Sequence, residues 1–171
     1  MKVCHFISPI DLGRSEIYVD LTNALCESIE VSLLIPKGTL YRDRIHPAIE
    51  VIEYQSKDTQ HNPFLLIEIV RKIRNLKPDI VHTSFAKATE IFMLVNKVLQ
   101  LPHVVTKHNP RKRKVFNRAP NVIAVSDIVK QSIKQENARV IHNGITPVEP
   151  LPRTNREQDI HNISHRQTGS D

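Results

Sequence analysis

Two histidines, His82 in PDIVHTSF and His108 in VVTKHN, stand at or near the ends of short apolar runs. An imidazole at the carboxyl end of a buried strand can donate to a ligand hydroxyl or phosphate near neutral pH. A hydrogen-bonded histidine at the sheet edge is the plainer alternative. Around His108, residues 103–118 hold six cations (Lys107, Arg111, Lys112, Arg113, Lys114 and Arg118) and no acid. Such a stretch attracts anions: nucleic acid, acidic headgroups or phosphorylated small molecules. Its one aromatic, Phe116, is thin support for base stacking, and a solvated loop is the competing reading.

Other chemistries find little support. Gly13 in SPIDLGRSE suits a phosphate loop facing a helix N-terminus, or merely a turn. With only four glycines in the chain, neither GxGxxG nor a P-loop can be assembled, which argues against dinucleotide and P-loop enzymes. The nucleophile elbow GxSxG is absent. HNISH at 161–165 has helical spacing but lies in a polar terminal stretch, so no zinc set is convincing and no metal is expected. Cys4 and Cys26 form no CxxC pair, which suggests reduced thiols in a cytoplasmic protein.

The elements that must position these residues alternate. Apolar runs at 2–8, 31–35, 79–84, 103–108, 121–126 and 138–144 read as strands, and the alternating run 49–55 as a strand nearer an edge. Between them lie four helical patterns. Ser15 caps the first, with Ile17, Leu21 and Leu25 as its apolar stripe. Pro63 opens the second, with Leu66, Ile69, Val70 and Ile73 inward, and residues 86–99 form the third. Ser126 caps the fourth, with Ile128, Val129 and Ile133 inward, and the last strand ends in an Asn-Gly turn. The pattern predicts an α/β, Rossmann-like, doubly wound and mainly parallel sheet with helices on both faces. Ligands bind such sheets beyond the carboxyl ends of the strands, here Ser8–Arg14, His82–Lys87, Lys107–Arg113, Ser126 and Asn143–Gly144.

At 171 residues the chain is the size of one domain, expected over 1–150, followed by a proline-rich, polar tail over 151–171 expected to be disordered. No apolar stretch is long enough to span a bilayer, and the N-terminus does not read as a signal peptide. The net charge of +6 is uneven: residues 1–60 hold 6 basic and 9 acidic residues, residues 61–102 hold 6 and 3.

The opening MKVCHFISPIDLGRSEIYVDLTNAL, followed in order by PDIVHTSF, VVTKHN, VIAVSDIVKQSI and VIHNGIT, resembles the N-terminal domain of retaining "group 1" glycosyltransferases with the two-domain GT-B fold. The resemblance covers residues 1 to about 150. It implies transfer of a sugar from a nucleotide-sugar donor to a glycan or lipid-linked acceptor, with lipopolysaccharide or surface-polysaccharide assembly as the expected pathway. No cofactor is implied, and nucleic acid is not an expected partner. By motif, His108 is the catalytic candidate. Gly13, Arg14, His82, Lys107, Asn109 and Ser126 are placed at donor or acceptor, and Asn143 and Gly144 at the turn before the interdomain linker. Arg14 stands where the family has a second glycine. The resemblance also implies a donor-binding C-terminal half that residues 151–171 do not supply. The chain alone is therefore expected to be inactive and truncated, its partner half a possible separate chain. Arg111, Lys112, Arg113 and Lys114 are expected to meet an anionic membrane at its cytoplasmic face. The alternative is a non-catalytic module that docks on membrane or nucleic acid through residues 107–118.

Overall fold

A computed structural model describes residues 1–9, 17–56 and 62–144. Gly13, Arg14, the Ser15 cap and the expected tail at 151–171 lie outside the described residues. Seven strands form one sheet: β1 (Lys2–Ile7), β2 (Glu30–Pro36), β3 (Glu50–Tyr54), β4 (Ile80–Ser84), β5 (His103–Lys107), β6 (Val122–Ala124) and β7 (Arg139–Val140). Their order is β3-β2-β1-β4-β5-β6-β7, and every neighbouring pair is parallel. This is the expected Rossmann-like sheet, with β3 at one edge.

Strand alternation sends successive side chains to opposite faces. On one face Cys4, Phe6, Leu34 and Val81 meet α2 (Pro63–Leu76) and α3 (Ala86–Leu99). Val105, Val122 and Ala124 extend that face and meet Val129 and Ile133 at α4 (Asp127–Gln131). On the other face Ile7, Leu33 and Ile35 pack against α1 (Ile17–Leu25) through Tyr18 and Val19. The near-continuous apolar runs of β1 and β2 are thus buried on both sides, as parallel strands require.

Helix boundaries follow local chemistry. Asn62 caps α2 by accepting from Phe64 N, Pro63 takes the first turn, and Lys77 ends the helix at φ 50°. Gln100 ends α3 in the same left-handed way, at φ 55°. No helix among the described residues is long and apolar enough to cross a membrane.

Three inward faces differ from expectation. On α1 the buried residues are Tyr18, Val19 and Thr22, while Leu21 is 37% exposed. The helix is turned so that Thr22 meets His5, a polar contact invisible to an apolar periodicity count. On α2 the fully buried row is Leu65, Ile69, Ile73 and Leu76, with Leu66 and Val70 only partly covered. At α4, Val129 and, just past the helix end, Ile133 face the sheet, while Ile128 points outward at 67% exposure. The last strand stops at Val140, leaving Asn143 and Gly144 exposed beyond it and outside any turn.

Candidate functional site

The strand order reverses direction between β1 and β4, so the crevice of the fold opens beyond Ile7 and Ser84. There Phe85 joins β4 to α3 with φ 74° and ψ 146°, a conformation suited to glycine. Strain of this kind survives only where the surroundings over-determine it. The Phe85 ring lies 4.2 Å from Tyr18 between centroids, and its carbonyl accepts from both Thr89 N (3.1 Å) and Thr89 Oγ1 (2.8 Å).

A one-proton hydroxyl fixes the direction of the bonds behind it. Thr89 donates its only hydroxyl proton to Phe85 O, so it must accept from Thr83 Oγ1 at 3.0 Å. Thr83 has then spent its own proton, and must accept from His103 Nε2 at 2.9 Å. His103 is thereby protonated on Nε2, and the chain His103–Thr83–Thr89 ends on the strained carbonyl. Likewise Thr22 donates to Tyr18 O at 2.7 Å, so it accepts from His5 Nδ1 at 2.7 Å. His5 Nε2 then accepts from Ser84 Oγ at 2.9 Å.

Three imidazoles share the α1 face. His5 and His82 are register partners and stack. His82 Nε2 pairs with Thr106 Oγ1 at 2.7 Å. His108, just past β5, packs edge-on to Tyr18 with centroids 4.4 Å apart, and lies 6.3 Å from Phe85. Burial holds His5 well below its usual pKa, with further lowering from His82 and His108. Burial first, then His108, lowers His82 to about 4, and burial alone does the same for His108. All three are neutral at pH 7.

His108 differs in one respect. Both its ring nitrogens are shielded from solvent, and neither has a hydrogen-bond partner among the described residues. Its neighbour Tyr18 is also desolvated, its hydroxyl pushed up to about 12.

The other expected site residues take varied positions. His82 is hydrogen-bonded through Nε2 to Thr106 and its ring stacks on His5, which favours the plainer of its two readings. Asn109 is exposed, and its Oδ1 accepts from Arg111 N to shape the loop. Ser126 caps α4 as expected, accepting from Val129 N. Arg111, Lys112, Arg113 and Lys114 are exposed, as a docking patch requires.

Lys107 is a correction. It sits on the opposite face from His108, 1% exposed, with Nζ donating to Ser132 Oγ and 5.3 Å above the Phe116 ring. Strand alternation put it there, and desolvation lowers its pKa. It is no part of the exposed patch or of the crevice.

Tyr18, Phe85, His5 and His103 were not singled out from sequence. The histidines were visible within strands, but their hydroxyl partners come from other elements. Among the described residues no group of three or more His, Cys, Asp or Glu side chains is placed to hold a metal.

The geometry has solved counterparts. A glycosyltransferase from Rickettsia africae superposes with a TM-score of 0.63 at 20% identity, covering 99% of this chain and 50% of that one. Anabaena Alr3699/HepE, solved with UDP-glucose, superposes at 0.68 with 17% identity, over 98% of this chain and 50% of that one. The lipopolysaccharide outer core galactosyltransferase WaaB gives 0.66 at 13% identity, over 90% and 50%. The chain thus spans about half the length of these solved proteins. No curated protein sequence matches it. The model of Glycosyltransferase Family 4 matches residues 15–149, and with the Rossmann-like GT-B domain described above it shows that the chain belongs to glycosyltransferase family 4.

Proposed function

We propose that this domain is the acceptor-side half of a retaining sugar transferase. It would act on a nucleotide-sugar donor and a surface-polysaccharide or lipopolysaccharide-type acceptor, at the cytoplasmic face of a membrane. The observation that carries the reading is His108, whose two shielded ring nitrogens have no partner among the described residues. Leaving a buried donor or acceptor unpaired costs about 1–3 kcal/mol, and a ligand that pairs with it recovers that energy. Because its pKa is about 4, the ring meets the ligand as a neutral donor and acceptor and not as a cation. A sugar hydroxyl suits that chemistry.

The surroundings support the same reading. The α3 helix begins after Phe85, whose ring centroid lies 6.3 Å from that of His108, with no side-chain cap among the described residues, and a helix N-terminus favours developing negative charge. Gly13 and Arg14, outside the described residues, are proposed for the donor or acceptor by motif alone. UDP-glucose in Anabaena Alr3699/HepE supports a nucleotide-sugar donor, and the description of WaaB supports a lipopolysaccharide-type acceptor. A second, donor-binding half would complete the crevice, because the chain spans about half of these proteins.

The test compares residues 1–171 alone with the same chain joined to the second half of Anabaena Alr3699/HepE, with UDP-glucose as donor. Transfer is expected only from the joined protein, and to fall about 100-fold in His108→Ala. Turnover by residues 1–171 alone that survives His108→Ala would remove the proposal.

A further inference from the structure

The junction of β4 and α3 ties the two faces of the sheet together. Thr83 points to the same face as Val81, the face that α2 and α3 cover. There it meets Thr89 Oγ1 at 3.0 Å and His103 Nε2 at 2.9 Å. Phe85 packs its ring against the core of the other face, on Tyr18. The link is the Phe85 carbonyl, which accepts from both Thr89 N and Thr89 Oγ1.

A threonine within a helix often bonds back to the carbonyl four residues earlier. This bond differs in its acceptor and in its donor. The acceptor belongs to the residue before α3, at φ 74° and ψ 146°, a conformation that lasts only where its surroundings hold it. The donor is fully buried, and its proton has one place to go, because Thr83 supplies the hydrogen bond that Thr89 accepts. Thr83 is in turn committed by His103, which stands edge-on to Phe92 with centroids 4.6 Å apart. Held in this way, the Phe85 ring stays 4.2 Å from Tyr18, and Tyr18 stays 4.4 Å from His108. The three rings pack as one group, so a swing of the Phe85 backbone moves the wall against which His108 rests.

We infer that Thr89 is a positioning residue: through the Phe85 carbonyl it fixes the aromatic wall of Phe85 and Tyr18, and so the place of His108 in the crevice. That this wall serves sugar transfer rests on the function proposed above; the geometry does not.

The experiment compares Thr89→Val, Thr89→Ser and Thr83→Val in two measurements. In the full chain at neutral pH, NMR reads the ring signals of Phe85, Tyr18 and His108. They should shift in Thr89→Val and return in Thr89→Ser, which restores the hydroxyl. They should stay in place in Thr83→Val, which loses a buried hydroxyl from the same core but leaves Thr89 donating to Phe85. Melting curves report the fold of each variant. Thr89→Ala should move the rings as the valine variant does, and carries the test if Thr89→Val does not fold. In the chain joined to the second half of Anabaena Alr3699/HepE, Thr89→Val should lower kcat about 10-fold at unchanged KM for UDP-glucose, and Thr89→Ser should restore it. Ring signals unmoved in Thr89→Val overturn the inference, as do signals that move equally in Thr83→Val. So does an unchanged kcat in a variant whose rings have moved. Moved rings beside a joined wild-type protein that transfers nothing would remove the proposed function and leave the positioning standing.

Discussion

His5 and His82 stack face to face across β1 and β4, ring centroids 4.5 Å apart and planes 8° from parallel. Two imidazoles at that distance cannot both be charged cheaply in a buried site. With His103 and His108 they form a set of four histidines that the fold keeps neutral.

This set makes stability depend on pH. The unfolded chain protonates its histidines below about pH 6.5. In the folded chain His82, His103 and His108 wait until about 4, and His5 is also well depressed. The histidine contribution is therefore complete above pH 6.5 and is lost as pH falls through 4. Each histidine adds a slope of about 1.4 kcal/mol per pH unit within that window. Urea unfolding at a series of pH values should show the slope, reduced in His82→Gln. Constant stability between pH 6.5 and 4 would mean that these rings are solvated.

Phe85 should reverse the usual ranking of small residues. Phe85→Ala removes the ring from Tyr18 and keeps a Cβ at φ 74°, whereas Phe85→Gly removes both ring and strain. The glycine variant should be more stable than the alanine variant by about 1–3 kcal/mol, measured by denaturant midpoint at equal m-value. Equal stability would show that the backbone relaxes at no cost.

Lys107 should behave as a core residue. Lys107→Met keeps the volume and removes a desolvated charge, and Ser132 Oγ still donates to Val129 O. The substitution should change stability by less than about 1.5 kcal/mol and leave binding to anionic vesicles unaltered. Lost vesicle binding with an intact melt would place this lysine on the docking surface after all.

The sheet, its parallel order and most element boundaries were legible because each strand is a short apolar run punctuated by proline, glycine or a capping residue. Ser126 and Pro63 mark helix starts by local chemistry alone. The inward face of α1 was not legible, because its orientation answers to His5 and not to Leu21. Lys107 was misplaced for a similar reason: a charge count reads it with its basic neighbours, while strand alternation buries it on the far face. Nothing in the side-chain types announces that Phe85 adopts a glycine-like backbone. His108 was legible as a strand-end histidine, but that its ring nitrogens lack partners among the described residues could be seen only in three dimensions.

Central to this account is a neutral His108 that faces a sugar ligand. The direct measurement is NMR of the histidine ring resonances in residues 1–171 joined to the second half of Anabaena Alr3699/HepE, at neutral pH, during titration with UDP-glucose. The account predicts that His108 shifts selectively, together with the adjoining Tyr18 and Phe85 ring signals, while His103 on the other face stays fixed. Saturable nucleotide-sugar binding that leaves His108 unmoved, or no shift at any histidine up to solubility, would contradict it.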